Sequence, residues 1–168
     1  MSSSDFMGTM LAYRAWANRE LFAVLEALPE DVDATLRHTM VRVLNHVYVV
    51  DRIFQAHLQG VPHGYTALNT AATPELGRLS LDVGEIDEWY ARYASAIDAP
   101  ALAETLEFRF IDGAPGRMTR AEILFHVVNH GSYHRGAVGA MLTQVRGNPP
   151  KDVITNFLLA HARKAASL

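Results

Sequence analysis

What most limits the folds open to this chain is the spacing of its apolar residues, which recur at three- and four-residue steps through long segments that end at Pro or Gly. That period puts them on one stripe of an α-helix, and a stripe that must leave water needs other helices to face. "FMGTMLAYRAWANRELFAVLEAL" carries Phe6, Met10, Tyr13, Ala17, Leu21 and Val24 at such steps, ahead of Pro29. A second segment, Leu36 to Leu58, repeats the pattern with Met40, Val43, Leu44, Val47, Val50 and Phe54, and is closed by Gly60 and Pro62. After a loop rich in Gly, Thr, Pro and Asn, "SLDVGEIDEWYARYASAID" sets Val83, Ile86, Tyr90, Tyr93 and Ile97 on one side, although Gly84 weakens it as a helix. Thr119 and Glu122 form the T-x-x-E capping signature of a fourth helix, which reaches Gly147 ahead of Pro149 and Pro150. "KDVITNFLLAHARKAASL" reads as a last amphipathic helix, with Arg163 and Lys164 near its end, where they suit the helix dipole. Between the third and fourth helices the period drops to two. Leu106, Phe108 and Phe110 alternate with Thr105, Glu107 and Arg109, followed by the turn-forming "DGAPG". The expected class is therefore all-α: a four-helix bundle with a short β-hairpin insertion before the fourth helix and an extra C-terminal helix.

A length of 168 residues with 49% hydrophobic content suits one domain spanning residues 1–168. A formal net charge of -3 without runs of like charge argues against a nucleic-acid partner. Cysteine is absent, which removes disulfides, thiolate metal ligands and a cysteine nucleophile, and fits a reducing compartment. The first residues carry charges too early for a secretory signal, and no apolar run approaches the ~18 residues of a membrane span. A soluble cytoplasmic protein acting on a small molecule, with neither nucleic acid nor membrane as partner, is the expectation.

"LFHVVNHGSYHRGAV" places His126, His130 and His134 at four-residue intervals in apolar, helix-compatible sequence. Each imidazole there needs hydrogen-bond partners or a metal. At about 100° per residue with Thr119 at zero, the apolar residues of this helix centre near ~80°, His130 and His134 fall at ~20° and ~60°, and His126 at ~340°. His130 and His134 thus share a core-facing side about 6 Å apart along the axis, and His126 lies at its edge. Two ligands hold a metal loosely, and His46 in "LNHVYVVD", on the flank of the second helix's stripe, supplies a third, while Asn45 faces away. Three neutral imidazoles leave a divalent ion's charge uncompensated and a coordination position open, the arrangement of catalytic sites, where the ion activates water or a thiol. On spacing alone, histidines like these are more often ordinary core or surface residues. His38, His57, His63 and His161 are expected to be solvated. His126, Asp51 and Arg135 are the expected supporting residues of the metal site. Asp51 lies within an apolar stripe and needs a partner, which is a ligand histidine, Arg135 or backbone. Tyr48 and Tyr133 are substrate contacts or packing residues, and Trp16 and Trp89 read as core or interface aromatics.

Together "AYRAWANRELF", "LNHVYVVDRIF", "FRFIDGAPGRMTRAEILFHVVNHGSYHRGAV" and "DVITNFLLAH" resemble the DinB/YfiT-like family of metal-dependent enzymes over nearly the whole chain. The most specific element is H-x-x-x-H-R-G preceded by "HVVN". The resemblance implies a four-helix bundle with a divalent metal, nickel or zinc, on the residues matching His46, His130 and His134. It also implies homodimers, and a chemistry in which low-molecular-weight thiols are transferred to electrophiles or assist an isomerisation. One departure is Ala137, where the family often has Gln, so no side-chain amide acts there. Neither H-E-x-x-H, E-x-x-H, a phosphate-binding glycine loop nor G-x-S-x-G occurs, which disfavours zincins, di-iron bundles, P-loop enzymes and serine hydrolases. The expected function is a divalent-metal-dependent enzyme, a thiol-dependent S-transferase acting on small electrophiles with a thiol cosubstrate. The alternative is a helical bundle that binds metal or a small ligand without catalysis.

Overall fold

A computed structural model describes residues 3–145 and 147–165, without the side chains of 3, 4 and 161–165; His161, Arg163 and Lys164 therefore lie outside the described side chains. Its elements in order are α1 (Ser3–Glu26), α2 (Ala34–Gln59), α3 (Leu76–Ala96), the single turn α4 (Ala99–Leu102), the strands β1 (Thr105–Arg109) and β2 (Pro115–Thr119), α5 (Arg120–Gln144) and α6 (Ile154–Ala165). The fold class expected from the sequence holds, with α4 as an addition and α3 beginning before Ser80, where the Glu75 carboxylate accepts from the Gly77 and Arg78 N–H groups. Local chemistry sets the other helix ends too. Asp33 accepts from Leu36 N at the start of α2, and Gly60 closes it with φ 69°, a left-handed conformation that costs little without a side chain. At the start of α5 the Thr119 and Glu122 capping box is complete.

Both α1 and α2 pack against α3 and α5, so α1 and α2 stand at opposite corners of the bundle. One end of the core gathers Met7 and Leu11 with Val50, Phe54, Leu58, Ile86, Tyr90, Ile123 and Val127. The other end gathers Leu21 and Leu25 with Met40, Leu44, Leu79, Val83, Val138 and Leu142. The chain therefore runs one way in α1 and α5 and the other way in α2 and α3. Between the two apolar clusters lies a buried polar layer of Arg14, Asn18, Asp51, Asp87 and Arg135.

In α1 the buried seam is Met7, Leu11, Arg14, Asn18, Leu21 and Leu25, alternating steps of four and three, one position round from the stripe read in the sequence. Phe6 is 46% exposed. Tyr13 and Ala17 are buried, but against Phe157 of α6 rather than in the bundle centre. Two polar residues in the seam hide its period from a hydrophobicity count.

The hairpin pairs antiparallel with Leu106 opposite Met118 and Phe108 opposite Gly116. A Cβ at Gly116 would overlap the Phe108 ring, so this close approach requires glycine. Phe108 in turn covers Phe54 and His57 at one end of α2.

Candidate metal centre

His46 on α2 meets His130 and His134 on α5, and one nitrogen from each lies within 4.8 Å of the others. Among the described residues no other group of three potential metal-binding side chains comes together in this way. His46 Nε2 and His130 Nε2 are 3.2 Å apart. Ligand bonds of about 2.0–2.1 Å in a tetrahedron put ligand atoms about 3.3 Å apart, so the donor set fits one small divalent ion. The His46 Nδ1–H donates to the Leu68 carbonyl at 2.8 Å, and because a carbonyl only accepts, the lone pair of His46 is left on Nε2, facing the other two rings.

The loop that supplies Leu68 is fastened to α2 around His46. Asn45 Nδ2 donates to Asn69 and, at 2.7 Å, to Thr70 Oγ1, and Asn69 Nδ2 donates to the Arg42 carbonyl at 3.0 Å. Asn45 is accordingly buried, not turned away to solvent.

Burial, followed by the neighbouring imidazoles and Arg14, pulls His130 down to about 3. Burial and His46 lower His134. Both rings are neutral near pH 7, the form that binds metal. His126 stacks on His130 with centroids 5.2 Å apart and tilts against Phe54 at 4.8 Å. It forms a wall beside the three nitrogens, and burial lowers its pKa also.

Asp51 is partnered differently from the sequence expectation. Asp51 pairs with Arg14, not with Arg135 or a histidine ring. The α1 seam carries the Arg14 guanidinium to the bundle centre between Asp51 and Asp87. Arg135 points along another face of α5 and donates to Asp152 at 2.8 Å, Asn18 at 3.1 Å and Ser132 at 3.1 Å. Asn18 Nδ2 closes the chain on Asp87 at 2.8 Å, and the Tyr90 hydroxyl donates to the Asp51 carbonyl at 2.7 Å. Burial pushes the Asp51 carboxyl up, against the pull of Arg14, which favours the ionised form.

Arg14, Asn18 and Asp87 were not singled out in the sequence; the seven-residue repeat of α1 was the signal that could have found the first two. His57 and His63 differ from expectation as well. The hairpin folds over His57, whose ring stacks on Phe108 at 4.4 Å and stands 5.3 Å from His63, with His57 Nε2 and His63 Nδ1 buried. His38 is exposed, with Nε2 3.2 Å from Thr73 Oγ1. Tyr133 is 75% exposed and stands edge-on to His134 at 5.1 Å, at the rim of the site. Tyr48 packs against both apolar clusters, Trp16 against Tyr13 and Phe157, and Trp89 against Tyr90 and Tyr93. A cavity of about 440 Å³ lies on a different face of α5, lined by Arg135, Gly136, Gly139, Pro149, Asp152 and Val153 among others, and not by the histidines. Among the described residues no helix is long and apolar enough to cross a membrane.

Comparison with known proteins agrees with this architecture. A family profile described as the DinB family matches residues 1–162. Protein DinB of Bacillus subtilis (strain 168) is 29% identical over 179 aligned positions, covering 96% of this chain and 99% of that protein. The crystal structure of a DinB-like protein from Bacillus cereus ATCC 10987 superposes with a TM-score of 0.60 at 17% identity, covering 83% of this chain and 90% of that one, a likeness of fold.

Proposed function

The chain belongs to the DinB family, and from that premise we propose that His46, His130 and His134 hold one divalent metal ion in a metal-dependent enzyme that transfers a low-molecular-weight thiol to a small electrophile. The observation that carries the reading is the convergence of three imidazoles from two helices, with the His46 lone pair set on Nε2 by the Leu68 carbonyl. Nickel and zinc both suit such a donor set. When bound, an ion on three uncharged ligands keeps its positive charge and lowers the pKa of a thiol or water beside it.

The residues around the three nitrogens define what the site does with a substrate. His126 and Phe54 form an aromatic wall on one side of His130, and Tyr133 stands at the rim beside His134. These surfaces suit an apolar or aromatic electrophile. With no cysteine in the chain, the thiol comes from outside. Its sulfur forms the new bond to the electrophilic carbon as the leaving group departs with the bonding pair, and the thiol proton passes to solvent or base.

Elemental analysis of the purified protein, followed by thiol consumption with simple electrophiles before and after chelation, tests the reading. Stoichiometric metal, loss of turnover on chelation and its return on adding nickel or zinc are expected. Apo-protein that works as fast as loaded protein overturns the mechanism. The second reading is a bundle that binds metal or a small ligand without turnover. It draws support from the 440 Å³ cavity away from the histidines, a candidate ligand site with no metal-binding cluster in its walls. Absence of turnover across a broad panel of thiols and electrophiles favours it.

A further inference from the structure

Three buried polar atoms at the height of the histidines have no protein partner: His130 Nδ1, Asp51 Oδ1 and Arg14 Nε. They belong to one neighbourhood. Arg14 Nη2 donates to Asp51 Oδ2, so Nε and Oδ1 are the remaining corners of the same ion pair. The residue after His130 is Gly131, and Arg14 Nε lies 3.3 Å from the point its Cβ would occupy.

The three atoms complement one another. Arg14 Nε carries a hydrogen, Asp51 Oδ1 accepts, and His130 Nδ1 carries a hydrogen whenever Nε2 gives its lone pair to a metal. Left bare, each such group costs about 1–3 kcal/mol. A single water within reach of the three would satisfy them all, accepting from Arg14 Nε–H and His130 Nδ1–H and donating to Asp51 Oδ1; about three bonds is usual for a buried water.

We infer that Asp51 is a positioning residue for the metal site, holding His130 through one buried water shared with Arg14, so that His130 Nε2 faces the ion. This rests on the proposed tris-histidine metal site. The carboxylate keeps the proton on Nδ1, orients the ring and makes Nε2 a better donor. His46 reaches the same end through Leu68, so two of the three ligands have their tautomers set from outside the site.

The test compares Asp51→Asn with Asp87→Asn. Each removes charge from one of the two carboxylates that Arg14 holds, but only Asp51 has an oxygen left over for the water. In Asp51→Asn the amide oxygen stays on Arg14, because an NH2 group cannot face a guanidinium N–H, and the NH2 that replaces Oδ1 cannot accept. Zinc affinity is measured by competition with a chromophoric chelator, alongside urea unfolding of each metal-free variant. The expected result is a roughly 10- to 100-fold weaker zinc affinity for Asp51→Asn, the range typical of groups behind a ligand, with Asp87→Asn within about threefold of wild type. Equal weakening in both variants, or wild-type affinity in Asp51→Asn, overturns the inference.

If Asp51→Asn does not fold, long-range nitrogen–proton spectra of zinc-loaded wild type decide the matter. A slowly exchanging proton on His130 Nδ1 supports the inference, and a proton on Nε2, or rapid exchange at Nδ1, refutes it. Wild type that binds no zinc with a dependence on His134 is a different failure, that of the metal site itself.

Discussion

Gly131 on α5 lies against the Arg14 side chain of α1, and replacing that residue by alanine asks two buried arginines to move. The new Cβ would sit 3.2 Å from Arg135 Nη1 and 3.3 Å from Arg14 Nε, closer than side chains normally approach. Flexible arginines would give way, but these are held. Arg14 is clamped between Asp51 and Asp87, and Arg135 is fixed by Asn18, Asp152 and Ser132. Loosening one hydrogen bond to a charged group costs about 1.5–3 kcal/mol, whereas Gly→Ala in a helix gains only about 1 kcal/mol. The net expectation for Gly131→Ala is a loss of about 0.5–2 kcal/mol. In α3, Gly84 has nothing within 4 Å of its would-be Cβ, so Gly84→Ala keeps the whole gain. At roughly 2–4 °C per kcal/mol for a chain of this size, Gly84→Ala melts higher by a few degrees and Gly131→Ala lower by one to several. Thermal and urea unfolding of metal-free protein, with the urea slope unchanged, gives both values. Gly131→Ala as stable as Gly84→Ala would mean that the guanidiniums are not clamped, and the rigidity assigned to the polar layer would fall with it.

Single replacement of His46, His130 or His134 by alanine should abolish stoichiometric metal, whereas His126→Ala should weaken affinity by roughly 10- to 100-fold at most; metal content surviving all three ligand variants places the site elsewhere. Burial, then His63, lowers the pKa of His57, so the folded state keeps this ring neutral after the unfolded chain has taken a proton. The stability this contributes is complete above the unfolded value of 6.5 and is lost as pH falls from there towards the lowered folded value. The urea-derived stability of wild type minus that of His57→Phe should therefore fall between pH 7 and pH 5 by up to about 1.4 kcal/mol per unit, and a flat difference refutes the assignment. The family resemblance leads us to expect a homodimer formed through helices rather than the hairpin, so light scattering should give about twice 18.6 kDa; a monomer at micromolar concentration counts against it.

The four long helices, the hairpin and the capping box were legible because each rests on local chemistry: period, turn residues and a side chain reaching three positions back. His46, His130 and His134 stand out by spacing and by their place on or beside the core-facing sides of two helical wheels, but it is the family resemblance that joins them into one ligand set; the structure brings their nitrogens together. The interior polar layer was not. Arg14 and Asn18 hold core positions in α1 that a hydrophobicity pattern assigns to apolar residues, so the pattern points to Phe6, Met10 and Tyr13 instead, and Phe6 is exposed. A carboxylate at Asp51 in an apolar stripe needs a partner, but that partner comes from the opposite corner of the bundle and depends on the shifted seam. His57 and His63 were read as solvated because the sequence does not tell where the hairpin lies. Once Phe108 covers His57, the two rings are half-enclosed. Pairings between distant segments follow from packing, and no single segment encodes them.

The position of the polar layer bears on why the bundle keeps it. Burying two arginines and two aspartates is a poor way to stabilise a core; apolar residues of similar volume in such places are often neutral or stabilising by about 1–4 kcal/mol. Here the layer divides two apolar clusters at the level where α2 and α5 bring the histidines together. An apolar layer would leave His130 Nδ1 buried against hydrocarbon, free to exchange its proton with Nε2 and to turn the wrong nitrogen towards the ion. Replacing Arg14, Asp51 and Asp87 together by apolar residues should thus leave the fold as stable as before or more so, while zinc affinity falls. A triple variant that loses stability but keeps wild-type zinc affinity would assign the layer to folding alone.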